Sequence, residues 1–255
     1  MVDEPLDEDD EDEESQAKTS EVPQEAADVA DLLKSPSEAP PLVVRPLDGP
    51  GVLDLRGGVL PGRAELRLPA GDVLVVSGLP GSGKSTLIGR AVPGAAVPGT
   101  RRGAGVWRVD SQDSRERWAR WLPASVPYAT YRPLVRVVHY LRLRQALRTG
   151  AAVVVHDCGS QAWVRRWLAR DARRRGRGLH LVLLDVPPEV ALDGQAERGR
   201  WVSDHAFARH RRAVGRLVDE AGRGCVPRGC AAAVMLDRRA ATALHTISFG
   251  GDQDP

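Results

Sequence analysis

From residue 72 onward, short runs of β-branched and other apolar residues alternate with longer stretches whose apolar positions recur at helical spacing. Residues 72–77 (DVLVVS), 105–109, 151–156, 179–185 and 231–236 read as strands. Each is a near-continuous apolar run, as a parallel sheet covered on both faces requires. Residues 85–91, 113–122, 133–148, 161–175, 188–197, 204–220 and 238–245 read as helices between them. Such alternation makes βαβ units, so the predicted class is α/β with a parallel sheet sandwiched by helices. Residues 42–68 differ: apolar and polar positions alternate between glycines, as in VLDLRGGVLPGRAELRL, which predicts short antiparallel strands.

The joint between the first apolar strand and its helix carries the strongest chemical signal. Residues 78–86 read GLPGSGKST, a full match to G-x-x-x-x-G-K-[ST]. Gly78, Gly81 and Gly83 let the backbone curl until its N–H groups point inward at the positive end of the helix, making an anion nest. With Ser82, Lys84, Ser85 and Thr86 they form the expected nucleotide-binding set. Lys84 is expected to reach the β- and γ-phosphates of ATP, and the Ser85 hydroxyl to ligate Mg²⁺. The alternative is an accidental glycine-rich turn, and the strand-loop-helix setting argues against it.

In open α/β sheets the ligand lies beyond the carboxyl ends of the strands. Those ends carry Asp110 and Asp113, then His156-Asp157-Cys158, then Asp185. Asp157 is the expected acidic partner of Ser85 at the metal, with helix capping near Ser160 as its other reading. The strand register leaves His156 as the second candidate for that place. Asp110 and Asp113 are candidates to orient or deprotonate an acceptor hydroxyl, against capping or an ion pair to Arg117. Arg198 and Arg200 bracket a glycine between two helices. They read as a hinged lid over ATP, or as a solvated loop.

Charge divides the chain. Residues 1–40 hold 15 acidic and 2 basic side chains, the remainder 19 and 34, giving net charges of −13 and +15. The block DEDDEDEE repels itself and buries nothing, so residues 1–41 are expected to be a disordered acidic tail and linker before a domain over 42–250. Only 3 of the 36 basic residues are lysine, a bias that nucleotide composition produces as readily as ligand binding, so arginine content does not by itself identify a nucleic-acid partner. The positive field draws anions in general. No apolar run approaches a membrane span and no leader pattern opens the chain, so a cytoplasmic location without membrane contact is expected. Cys158, Cys225 and Cys230 lack zinc-type spacing and are read as reduced. The helix carrying Trp163, Trp167 and Leu168 places its tryptophans at core spacing.

The order GLPGSGKST, the D-x-x-x-R stretch at Asp113, VVVHDC and LVLLDVPPEVALDGQAERGR resembles the P-loop kinase-like proteins described as AAA-family ATPases, near the polynucleotide-kinase, gluconate-kinase and zeta-toxin branches. The resemblance implies a P-loop NTPase with a five-stranded parallel sheet and the loop strand at its centre. It further implies Mg-ATP, a lid from Arg198 and Arg200, and Asp113 as the acceptor-side carboxylate. The chain departs from the pattern where Pro93-Gly94 cuts the helix short and where HDCGS replaces the commoner D-A-T-N. The leading expectation is transfer of the ATP γ-phosphate to a hydroxyl on a small-molecule or nucleic-acid acceptor. A nucleotide-dependent switch or ATPase is the alternative, and a nucleic-acid-binding module the third. The sequence leaves the acceptor and the oligomeric state open.

Overall fold

The computed structural model describes residues 42–44, 50–58, 60, 63–98, 105–110, 113, 128–156, 162–199 and 202–250. The tail 1–41, all but the first residue of the helix expected over 113–122, Asp157 and Arg200 lie outside them.

Three short strands come first, β1 (Leu42–Val44), β2 (Gly51–Asp54) and β3 (Ala64–Leu68), followed by β4 (Val73–Gly78) and helix α1 (Lys84–Ala91). Next come β5 (Val106–Val109), α2 (Tyr128–Arg148), β6 (Ala152–His156), α3 (Ala162–Arg174), β7 (Leu179–Leu184) and α4 (Pro188–Ala196). The chain then runs through α5 (Asp204–Gly222), β8 (Ala232–Leu236), α6 (Arg238–Ala243) and β9 (Leu244–Phe249). The core strands and helices fall where the periodicity predicted, because runs such as LHLVLL bury every residue and can only be interior strands.

The main sheet has the order β2-β8-β7-β4-β6-β5, with β4 inside it and all ladders parallel. It therefore has six strands rather than the five expected. The extra one is β2, which pairs Gly51 with Ala232 and Asp54 with Met235 at the edge. The antiparallel expectation for 42–68 is also corrected. There β1 pairs in parallel with β3, and β3 in parallel with β9, as a separate three-stranded sheet. Alternation along a short strand reports one covered face; it says nothing of direction, which distant partners set. The helix expected over 238–245 stops at Ala243, and its last two residues, Leu244 and His245, open strand β9 instead.

Successive residues of the main sheet enter two cores. Val73, Val75, Val153, Val155, Leu181, Leu183 and Met235 face α2, α3 and α5 through Leu143, Leu147, Leu168 and Leu217. Leu74, Val76, Val154, Val182, Leu184 and Leu236 face α1 and the small sheet through Leu87, Ile88, Leu66, Leu68 and Ile247. With both faces covered, the strands need apolar residues at every position. Of the two tryptophans at core spacing, only Trp167 packs against the core. Trp163 is 51% exposed and lies edge-on to Tyr140, with ring centroids 5.1 Å apart.

Asp72, just before β4, fixes the register from below. Its carboxylate is buried and accepts hydrogen bonds from the Gly178 N–H at 2.9 Å and from His180 Nε2 at 2.7 Å, tying β4 to β7.

Candidate functional site

Strand β4 ends at Gly78, and the chain turns through Gly81 (φ 90°) and Gly83 (φ 94°) into α1. Both lie in the left-handed region that glycine adopts without penalty. No side chain caps α1 at Gly83, so the positive end of its dipole is given to the loop. The helix runs only to Ala91, followed by Gly94 at φ 77°, as Pro93-Gly94 foretold.

Helix α4 presses directly on the loop. A β-carbon at Gly81 would stand 1.9 Å from the Ala191 carbonyl oxygen, and one at Gly194 would stand 2.5 Å from the Gly81 carbonyl oxygen. Two backbones meet where neither side can carry a side chain. The sequence reading took Gly81 for curvature alone and missed Gly194, although a mid-helix glycine costs about 1 kcal/mol against alanine and signals a close approach. It also missed Gln195, which is buried in the same helix and accepts from the Val202 N–H at 3.2 Å, pinning the far side of the lid segment.

Lys84 is 3% exposed, and its Nζ donates to the carbonyls of Gly78 at 3.0 Å and Leu79 at 2.6 Å. A buried ammonium needs such partners, and phosphate oxygens are equivalent acceptors of higher charge. Arg198 follows α4 in a turn completed by Gly199 at φ 57°, and its Nη2 donates to Thr86 Oγ1 at 3.1 Å. The arginine read as a lid thus rests on the phosphate loop across 112 residues of chain.

Ser85 Oγ lies 3.3 Å from His156 Nε2, and His156 Nδ1 lies 3.2 Å from Asp110 Oδ1. His156 ends β6 opposite Val76 and faces Ser85, whereas Asp157, the other residue the register left open, lies outside the described residues. Asp113 Oδ2 lies 3.5 Å from Arg108 Nη2 of β5. Asp110 is joined to the loop serine through His156. Asp185 receives Arg56 Nη1 at 2.6 Å, and Arg56 also binds Asp54 at 2.6 Å. That guanidinium holds the Asp54 carboxyl below its ordinary range. The Ala240 and Gly57 N–H groups do the same for Asp237, which caps α6.

A cavity of ≈ 180 Å³ opens over the loop, lined among others by Gly81, Thr86, Leu184, Arg198, Arg238 and Thr242. It is smaller than the roughly 300–1,000 Å³ of common ligand pockets. The loop glycines, the uncapped helix end and the two cations suit a polyphosphate. Ser85 and His156 suit a divalent cation with an oxygen and a nitrogen donor.

Cys225 and Cys230 are free, and burial pushes the Cys230 thiol up to about 11, which keeps it protonated. Cys158 lies outside the described residues. Among the described residues no helix is long and apolar enough to cross a membrane.

Residues 73–219 match the family described as the AAA domain. No curated protein matches the sequence. Among solved structures, the chain is similar to the PezAT chromosomal toxin-antitoxin system of Streptococcus pneumoniae, at 14% identity over 66% of this chain and 69% of that one, with a TM-score of 0.48. It is similar to a gluconokinase from Sinorhizobium meliloti at 16% identity over 69% and 91%, with a TM-score of 0.37. A tunicamycin resistance protein from Deinococcus radiodurans aligns at 13% identity over 61% and 99%, with a TM-score of 0.34.

Proposed function

The chain belongs to the AAA domain family, and from that premise we propose that residues 42–250 form an ATP-binding domain that transfers the γ-phosphate to a hydroxyl acceptor. The observation that carries this reading is the meeting of Lys84 and Arg198 on one phosphate loop, Lys84 Nζ at the Gly78 and Leu79 carbonyls and Arg198 Nη2 at Thr86 Oγ1. A cation bonded to a neutral acceptor exchanges readily for phosphate, because charge-assisted bonds are about twice as strong.

In this reading the N–H groups of Gly81 to Thr86 bind the phosphates while Lys84 gives up its two loop carbonyls for β- and γ-oxygens. Arg198, with Arg200 beside it in sequence, swings from Thr86 to the charge that spreads onto the transferred group. Ser85 and the His156-Asp157 end of β6 form the metal side, where a bound Mg²⁺ neutralises phosphate oxygens. Asp113 and Asp110, which leave the neighbouring β5, hold the acceptor hydroxyl. Gly81 and Gly194 keep α4 pressed on the loop, so the lid hinge and the phosphates share one rigid base.

The test is a screen with γ-labelled ATP against nucleic-acid 5′-hydroxyl ends, nucleosides, sugars and antibiotics, with the Arg198→Ala protein in parallel. Label on an acceptor, falling on the order of 10³-fold in the variant, supports the reading. Label released only as phosphate replaces it with a nucleotide-dependent switch. Unchanged transfer in the variant removes Arg198 from the site.

A further inference from the structure

Helix α2 is apolar on two opposite sides. Leu143, Ala146 and Leu147 are buried in the core, whereas Leu134, Val137 and Leu141 are 46%, 54% and 60% exposed. At about 100° of rotation per residue, these three and the exposed Arg144 and Arg148 fall within an arc of about 80° on the side away from Leu143 and Ala146. Single exposed apolar side chains are ordinary, but a surface helix carries polar residues opposite its core stripe. Trp163 of α3, half exposed beside Tyr140, extends the apolar surface onto the next helix. The outward stripe is also divided along its length. Its apolar part, Leu134 to Leu141, runs for about 10 Å, and Arg144 and Arg148 occupy the next stretch of about 10 Å. Helix α2 contains neither Asp nor Glu. A cavity of ≈ 390 Å³ lies at the junction of the two parts, against Leu141, Arg144, Gln145 and Arg148.

We infer that the outer face of α2 docks an acidic amphipathic helix of a partner protein. Its apolar stripe seats on Leu134, Val137 and Leu141 beside Trp163, and its carboxylates follow along the axis to meet Arg144 and Arg148. The order of the two parts sets the register, and the arginines select an acidic partner over a basic one. The same order disfavours other occupants. Two copies of α2 paired along their whole length would set arginine on arginine when parallel and arginine on leucine or valine when antiparallel. Single-stranded nucleic acid stacks its bases on aromatic rings, which three aliphatic side chains do not supply. A lipid surface takes apolar residues on one face of a helix and basic ones on the other, whereas here they succeed one another along a single face. The inference stands apart from the nucleotide reading, because none of these residues touches the phosphate loop's cavity.

The experiment titrates the full chain into fluorescent helical peptides on an alanine-glutamine background and reads their anisotropy. One peptide carries a leucine stripe in its first half and glutamates in its second, another has the reverse order, and a third of the same composition intermixes the two. One of the ordered peptides should bind at least roughly tenfold tighter than the intermixed one. Leu141→Glu and Arg144→Glu should each weaken that binding by roughly tenfold or more. Both positions are exposed, and the comparison of peptide order needs no substitution, so a variant that misfolds does not decide the outcome. Equal binding of all three peptides overturns the inference, since net charge alone would then explain it. So does unchanged binding in both variants. Tighter binding of an oligothymidine or of anionic vesicles, lost in Leu141→Glu, assigns the face to nucleic acid or lipid instead, and a dimer in sedimentation that the same variant disperses assigns it to a second copy. Absence of any peptide binding overturns it as well, whether another part of this chain covers the face or nothing does.

Discussion

The two ends of β4 solve opposite problems with opposite materials. At its start Asp72 is buried and gives both carboxylate oxygens to partners on the neighbouring β7 segment, Gly178 and His180. Its far end passes through glycines, and the Lys84 ammonium is held by the carbonyls of the loop itself. Polar chemistry at the first end joins two strands within the chain and acts as a fastener. At the second, carbonyls of a glycine-rich loop are among the groups that hold the charge. Buried charge stands at both ends of one strand, so burial by itself does not identify a site.

Asp72→Ala should break the fastener alone. The Gly178 N–H and His180 Nε2 lose their acceptor in a buried place, at a cost of about 3 kcal/mol, read as a lowered denaturation midpoint. ATP affinity of the folded fraction should stay unchanged, and a fall in that affinity would erase the contrast between the ends. Gly81→Ala attacks the other end. Its β-carbon meets the Ala191 carbonyl at 1.9 Å with φ at 90°, so the loop or α4 must move. About 2 kcal/mol of stability should go, and nucleotide affinity should fall on the order of 100-fold as the anion nest opens. Retained affinity would show that the α4 contact is packing without function.

The smallest effect tests a third charged group, on the same edge but outside the phosphate loop. Arg56 joins Asp54 and Asp185 with side chains 29%, 44% and 37% exposed, so solvent screens the pairs and Arg56→Ala should cost no more than about 1 kcal/mol. Because the guanidinium lowers the folded pKa of Asp54, its contribution is fully present above the unfolded carboxyl value of about 3.9. It is lost as pH falls through the folded value. Stability curves of the parent and Arg56→Ala proteins should therefore converge below about pH 4. A gap that stays constant as pH falls through the acid range would mean that Arg56 acts through packing.

Much of the fold was legible because it is local. VLVVSG, AVVVH and LHLVLL declare interior strands, and GLPGSGKST declares its own turn. Arg198 stood out beside its glycine, and the structure brings it to Thr86. What escaped was non-local. LHTISF becomes β9 only because β3 offers a parallel edge, and GVLD becomes a sixth strand only because β8 does. Gly194 and Gln195 in α4 look like ordinary helix residues until the loop lies on them. Asp110 and Asp113 are three residues apart, and the resemblance alone favours Asp113. In the structure Asp110 meets His156 and Asp113 meets Arg108.

By itself the sequence determined the alternation of strands and helices, the phosphate loop and the short α1, because each depends on backbone preferences and burial within a few residues. Tertiary structure alone decided the parallel small sheet, the sixth strand and the contact of His156 with Ser85. Those follow from which edges and strand ends meet across the whole chain, a matter of register and packing that no single segment encodes.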